Sequence, residues 1–403
     1  MKMTSTSRLL RQWWSASDSK LLAQSESRLL DSLVTHTHVR KKCNIGGLNV
    51  LEFNKTSSSS AVADMLTIIL THGFGSGLGF FYRNINDLLH SEKVSRVVCI
   101  DWHGMGGSDR PPCWESPIRS LFHSSSSTSS SSSTMTTSNR FSLCNSHFAV
   151  SRAIDFFLDP LEQVLQSNSN HEHGINFHPN EKICLVGHSL GGYLAARFAM
   201  RNSAKISKLI LASPVGFQPP PPRGQRLTSS NLPPGMRLLD ALWSANFTPQ
   251  QIIRLMGDKR GKGMVERALR GRIPHLSPSD AELLADYLYH ITVAPPSGEY
   301  AMNSLLEPAV ASEGGAGVYA RESLGDGVMT EMLSSQNEAS KIQSVKILFG
   351  DRDWMSFNQS AAVKEMNEMQ SKMGIEANVH VLPGAGHHLY LDNADAFVRH
   401  ILD

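Results

Sequence analysis

Six short apolar runs constrain this chain more than any other feature. Residues 66–70, 97–100, 183–186, 209–212, 345–349 and 379–382 are nearly continuous in Val, Ile, Leu and Phe, and many are separated by helix-like patterns. A half-buried strand alternates apolar with polar residues, so uninterrupted runs of this length predict strands covered on both faces. Such strands belong to a mainly parallel sheet with helices on both sides, which is an α/β fold. Two earlier runs, 39–43 and 49–53, flank Gly46 and Gly47 and predict an antiparallel hairpin at the start of the sheet.

With 403 residues, 40% hydrophobic and 18% charged, the chain can bury a full core and carry one inserted subdomain. The strand rhythm is interrupted twice. Residues 124–138 are almost only Ser and Thr, which cannot bury enough apolar surface to offset chain ordering, so a disordered insertion is expected. Residues 217–330 include the run Pro219 to Pro222, show helical patterns around Leu238 and Leu283, and are expected to form a mostly helical cap. The core is then predicted in two pieces, 39–216 and 331–403, preceded by an N-terminal segment 1–38 expected to contact a membrane peripherally or to serve targeting.

A net charge of +2 is too small and dispersed for a nucleic-acid binder. The five cysteines, Cys43, Cys99, Cys113, Cys144 and Cys184, show no CxxC spacing and read as reduced thiols of an intracellular protein. Neither a secretory apolar region nor a run of about 18 apolar residues is present, so no membrane span is expected. Residues 1–17 carry Lys2, Arg8 and Arg11 and no acid. In a helix, Leu9, Leu10, Trp13 and Trp14 would share one face. Three readings stay open for this face: lipid-surface contact, a mitochondrial presequence, or docking on the protein's own core.

The chemistry is carried by Gly187-His188-Ser189-Leu190-Gly191, which follows the run at 183–186 and precedes a helix-like segment from Tyr193. A strand, a sharp turn with flanking glycines and a helix make a nucleophile elbow, which lifts a strained serine clear of the sheet. A serine hydroxyl is a weak nucleophile at its own pKa, so a histidine must take its proton and an acid must orient that histidine. Asp353 is the candidate acid in Gly350-Asp351-Arg352-Asp353-Trp354, with Asp351 as the alternative. His387 is the candidate base in Gly384-Ala385-Gly386-His387, with His388 as the alternative. The order serine, acid, histidine is that of α/β-hydrolases. The oxyanion needs two N–H donors, for which the amides of Leu190 and Phe74 are the candidates. Phe74 lies in the glycine-rich stretch after residue 70, which lacks the lysine of a phosphate-binding loop.

With these residues placed, the chain resembles the α/β-hydrolase-domain four/five subfamily. The motifs are HGFGSGLGFF from His72, DWHGMGGSDRP from Asp101, GHSLGGYLAARFA from Gly187, YLYHITVAPPSGE from Tyr287, FGDRDWM from Phe349 and GAGHHLYLDNADAF from Gly384. The resemblance implies lysophosphatidic acid acyltransferases, phospholipid and cardiolipin deacylases, and coactivators of a lipid-droplet lipase. FGDRDWM looks like the plant and fungal branch, whereas the animal coactivator branch has asparagine in place of Ser189. The family's HxxxxD motif maps onto His387 and Asp392, implying a part in acyl transfer; read from the residues alone, Asp392 caps a helix starting near Asn393.

The expected function is therefore a serine-dependent hydrolase or transacylase of phospholipid or lysophospholipid esters. The alternative is a non-enzymatic lipase coactivator; an epoxide hydrolase or dehalogenase would need aspartate at position 189. Neither cofactor nor metal is expected, and acyl-CoA enters as a possible co-substrate. Arg254, Lys259, Arg260, Lys262, Arg267, Arg270 and Arg272 form a basic stretch. Arg267, Arg270 and Arg272 are the candidate contacts to lipid phosphate, or else part of a solvated helix face. Leu255, Met256, Met264, Leu283, Leu284, Tyr287 and Leu288 are candidates for an acyl channel or for plain core. Lipid is the expected partner, met in the cytoplasm at a membrane or lipid-droplet surface, with mitochondria as the alternative.

Overall fold

The chain threads strands and helices alternately, and the computed structural model describes residues 19–34, 38–55, 65–111, 147–166, 175, 177, 181–222, 237–238, 241–243, 247–310, 316–335 and 342–403. The helices are α1 (Ser19–Asp31), α2 (Ile85–His90), α3 (His147–Gln166), α4 (Leu190–Arg201), α5 (Pro249–Arg272), α6 (Pro278–Val293), α7 (Gly298–Leu305), α8 (Val328–Ser334), α9 (Gln359–Met373), α10 (Leu389–Asp392) and α11 (Ala394–Leu402). The strands are β1 (His38–Ile45), β2 (Leu48–Lys55), β3 (Leu66–Thr71), β4 (Val94–Ile100), β5 (Lys182–His188), β6 (Lys208–Ala212), β7 (Leu306–Val310), β8 (Ala316–Ala320), β9 (Ser344–Gly350) and β10 (Glu376–Leu382).

Eight strands form one sheet in the order β1-β2-β4-β3-β5-β6-β9-β10. The expected hairpin opens it: β1 and β2 pair antiparallel through Gly46 (φ 59) and Gly47 (φ 80), the left-handed pair that a two-residue turn requires. β2 also runs antiparallel to β4, and the remaining neighbours are parallel. The continuous apolar runs are explained by the two layers they feed. Ile69, Leu185, Leu211 and Ile347 face one layer with Phe157 of α3, Phe198 of α4 and Met366 of α9. Ile68, Leu70, Val186, Ile210 and Leu348 face the other, with Leu88 of α2, Leu284 of α6 and Phe397 of α11. This is the α/β architecture the sequence predicts.

Between β6 and β9, among the described residues, no strand joins the main sheet. The stretch instead holds α5 to α8 and a two-stranded antiparallel ribbon of β7 and β8, which the sequence reading did not foresee. α5 is interrupted at Gly257 (φ 69, ψ 174), where the backbone is not helical. α6 starts where Pro278 follows Ser277, whose hydroxyl accepts from the Asp280 amide at 3.1 Å. Within this stretch Ala301, Met302 and Leu305 of α7 are packed into the first core layer, and α8 straddles residue 330, where the cap was expected to end.

In segment 1–38 the described part, residues 19–34, packs on the body: Leu29 and Leu30 of α1 are buried in the second layer, each worth about 1.5–3 kcal/mol of burial. Arg28 pairs with Asp286 of α6 and Lys42 with Glu26, which holds α1 against the body. Residues 1–17 and the Ser/Thr insertion 124–138 lie outside the described residues. Cys43, Cys99 and Cys184 are buried free thiols; Cys113 and Cys144 are also outside the described residues. Among the described residues, no helix is long and apolar enough to cross a membrane.

Candidate active site

Ser189 stands between β5 and α4 with φ 55 and ψ −117, a backbone conformation that a non-glycine residue adopts only under constraint. The flanking glycines allow it. A Cβ on Gly187 would lie 2.3 Å from the Gly191 carbonyl oxygen, and one on Gly191 would lie 2.2 Å from that of His72. The elbow expected from the motif is present, stapled from both sides by backbone.

His387 and Asp353 come from the loops after β10 and β9, at the carboxyl ends of parallel strands, where open α/β sheets gather their sites. The Ser189 hydroxyl lies 3.1 Å from His387 Nε2, and His387 Nδ1 lies 3.0 Å from Asp353 Oδ1. That pattern places the imidazole proton on Nδ1, donated to the carboxylate, and leaves Nε2 to accept from the serine. Burial penalises the Asp353 carboxylate. The hydrogen bond and charge of His387 and the Met355 amide at 2.9 Å outweigh that penalty, so its pKa lies below the ordinary value. The two loops touch closely at Gly350, where a Cβ would lie 2.3 Å from the Ala385 carbonyl oxygen.

The alternatives resolve by direction. Asp351 is exposed and accepts from the Gly384 amide at 2.8 Å, away from the imidazole. His388 turns toward Tyr390, with Nδ1 3.0 Å from the phenol oxygen, and burial followed by the charge of His387 holds its pKa well below the ordinary value.

Asp392 does not cap a helix, contrary to expectation: Asn393 does, accepting from the Ala396 amide at 3.2 Å. Asp392 Oδ2 accepts instead from the Gly386 amide at 2.8 Å, bracing the loop that presents His387. Burial raises its pKa.

The two expected oxyanion donors lie next to the serine. Leu190 is the first residue of α4, so its amide is among those without an acceptor inside the helix. The Phe74 loop abuts the elbow, for a Cβ on Gly73 would lie 2.9 Å from Ser189 Cβ.

Not all basic candidates are brought to the site. Arg254 is buried and forms two 2.7 Å bonds to Glu299, and Lys262 is paired with Asp286. Arg267, Arg270 and Arg272 are exposed on α5, Arg270 bonding Glu266 at 3.0 Å; the positive charge of Arg272 reaches His388. Leu284 and Tyr287 are buried core, whereas Leu255 and Met256 are exposed.

Three residues near the array were missed. His188 Nε2 donates to the His387 carbonyl at 3.0 Å, its ring 4.8 Å from that of His387. Burial and then the neighbouring His387 keep His188 neutral, with a pKa far below the usual one. Trp354 lies with its ring 5.0 Å from His387 while still 56% exposed. Asp101, fully buried, accepts from the amides of Leu78 and Gly107 and from Asn49, tying the loops after β3 and β4 together. Each sits inside a quoted motif, which was the only signal available for it. Among the described residues, no three His, Cys, Asp or Glu side chains are grouped to hold a metal ion.

A model of the alpha/beta hydrolase family matches residues 68–400, spanning the elbow, both loops and the stretch between β6 and β9. The chain belongs to the alpha/beta hydrolase family. Within that family it is similar to a 1-acylglycerol-3-phosphate O-acyltransferase of Arabidopsis thaliana, 27% identical over 411 residues that cover 96% of this chain and 81% of that one. It is also similar to human 1-acylglycerol-3-phosphate O-acyltransferase ABHD5, 23% identical over 386 residues, covering 95% and 89%. Among solved structures, carboxylesterase CesB of Bacillus subtilis shares the hydrolase fold with a TM-score of 0.50 and 17% identity, covering 95% of this chain and 96% of that one.

Proposed function

We propose that this hydrolase-family chain is a serine-dependent acyl-lipid hydrolase or transacylase acting on phospholipid or lysophospholipid esters. The observation that carries the reading is the Ser189 hydroxyl, 3.1 Å from a histidine that a buried aspartate orients, on a strained elbow. Ser189 Oγ attacks the acyl carbonyl and its proton passes to His387 Nε2. The carbonyl becomes an oxyanion, held by the Leu190 and Phe74 amides, each such donor being worth about 3–4 kcal/mol. When the intermediate collapses, the leaving alcohol or the thiol of acyl-CoA takes the proton from His387, and the acyl group remains as an ester of Ser189.

The second half runs in reverse. His387 takes the proton of an incoming hydroxyl, whose oxygen bonds the acyl carbon, and Ser189 leaves with the proton. Water gives a deacylase. The hydroxyl of lysophosphatidic acid gives an acyltransferase, the reading favoured by the names of the plant and animal relatives. A positioned acceptor reaches an effective molarity of about 10⁵ M or more, against about 55 M for water, so the outcome depends on whether the acceptor is held. Such substrates are met at a lipid surface, so the reading has the protein act at a membrane or droplet.

Ser189→Ala tests the scheme. Covalent labelling by a fluorophosphonate should disappear and ester hydrolysis should fall by at least about 10³-fold. Strong residual labelling would show that another residue is the nucleophile.

A further inference from the structure

Among the described residues only three that are not glycine have a positive φ: Ser189, Ser213 and Asp326. Asp326 is exposed in a turn and Ser189 is the nucleophile. Ser213 (φ 45) directly follows β6 and is fully buried. A serine holds a left-handed backbone only under constraint, whereas glycine would sit there without strain, so the strain directs attention to what the side chain does.

The turn after β6 ties the nucleophile to the strand that carries the acid. The Ser189 amide donates to the Ala212 carbonyl at 2.9 Å, the Ser213 amide to that of Leu348 on β9 at 2.7 Å, and the Val215 amide to that of Ser189 at 3.4 Å. Asp353 lies in the loop after β9, and its two oxygens are unequal. Oδ1 accepts from His387 Nδ1 at 3.0 Å and from the Met355 amide at 2.9 Å. Oδ2 is buried and, among the described residues, meets no donor at ordinary hydrogen-bond geometry; the same holds for Ser213 Oγ. A hydroxyl hydrogen turns to suit its acceptor, and a buried carboxylate oxygen without a donor is costly. Burial raises the Asp353 pKa; the bond and charge of His387, then the Ser213 hydroxyl and the Met355 amide, bring it below the ordinary value, so the hydroxyl is within reach of the carboxylate.

We propose that Ser213 is a positioning residue of the triad, its hydroxyl turned to Asp353 Oδ2 so that the carboxylate keeps Oδ1 in line with His387. The proposal deepens the serine-triad reading above and rests on it. One turn, braced on Ser189 by its backbone and on Asp353 by its side chain, sets the spacing between nucleophile and acid, with the histidine held between them. Without the hydroxyl the carboxylate is free to rotate, and its second oxygen competes with the first for the imidazole N–H.

Ser213→Gly, Ser213→Ala and Ser213→Cys in the full chain test this, through hydrolysis of a soluble p-nitrophenyl ester over a range of pH, the thermal midpoint and the rate of fluorophosphonate labelling. Glycine relieves the left-handed backbone while removing the hydroxyl. Its thermal midpoint should stay near that of wild type, yet kcat should fall at least about tenfold with KM little changed. Ser213→Ala keeps the strain and should lose as much turnover. Ser213→Cys, a weaker donor of similar shape, should recover part of it. In the glycine and alanine variants the acid limb of kcat/KM should move to higher pH, because a carboxylate short of a donor holds a proton more readily. Labelling rates should fall in step with kcat. If the folded glycine and alanine variants keep the wild-type rate and acid limb, or if turnover falls only as far as the thermal midpoint does with no recovery in Ser213→Cys, Ser213 serves the fold alone and the proposal is overturned. Absence of labelling in wild type would overturn the serine-triad reading itself, whereas labelling that Ser189→Ala abolishes and the Ser213 variants leave untouched would overturn this inference alone.

Discussion

His387 has two ring nitrogens, and both are occupied: Nε2 by Ser189 and Nδ1 by Asp353. Asp392, the other acid of the HxxxxD motif, accepts from the Gly386 amide, one residue before the histidine, and its Oδ1 is buried without a partner among the described residues. It acts on the loop and not on the imidazole. Asp392→Asn retains an acceptor for Gly386 and removes a buried charge, so turnover should stay within several-fold of wild type. Asp392→Ala loses the acceptor, leaving a part-buried amide unpaired at about 1–3 kcal/mol, and should lower hydrolysis and transfer by the same factor. Assaying both reactions on both variants decides the matter, since a loss confined to transfer would restore Asp392 to a direct part in the chemistry.

At the scale of elements, the elbow works because β3, β5 and α4 meet without side chains between them. Gly191 on α4 faces the His72 carbonyl at the end of β3, and Gly187 on β5 faces Gly191. Gly191→Ala introduces a carbon 2.2 Å from that carbonyl oxygen, and neither partner is a flexible side chain. Such overpacking costs about 1–3 kcal/mol and must displace α4 or the Phe74 loop. The expected outcome is a lowered thermal midpoint together with a fall in turnover of at least tenfold, since a shift of about 1 Å at a reacting group is that damaging. Full activity in this variant would mean that the oxyanion donors are not where the elbow puts them.

On the scale of the whole molecule, the site is built into the sheet's centre and its histidines share the fold's fate in acid. His72, His188 and His388 all have pKa values lowered from 6.5, in each case chiefly by burial. The unfolded chain takes up protons below pH 6.5 that the folded one refuses. Stability should therefore be full above that pH and fall as pH drops from 6.5 toward the folded values, by up to about 1.4 kcal/mol per pH unit for each histidine. Urea midpoints between pH 7.5 and 5.5 should record this decline, and His188→Gln should make it shallower. A flat midpoint across that range would mean that these rings are protonated without penalty.

Local order along the chain was enough for the strands, the hairpin at Gly46 and Gly47, and the elbow, because each depends on neighbours a few residues away. A run of β-branched residues announces a two-sided strand, and glycines two before and two after a serine announce a tight turn. The choice between Asp353 and Asp351 depended on which carboxylate faces a histidine 34 residues on, and the sequence could only rank them. The role of Asp392, the burial of Arg254 against Glu299 and the docking of residues 19–34 on α6 were decided by tertiary structure alone. Arg110 illustrates why: in sequence it is one more cation among 38 basic residues, and its neighbour Asp109 would pass for a partner. Only folding sets it against three carbonyl oxygens beside a carboxylate already taken, because the energy of a charge depends on what surrounds it in space and not on what precedes it in the chain.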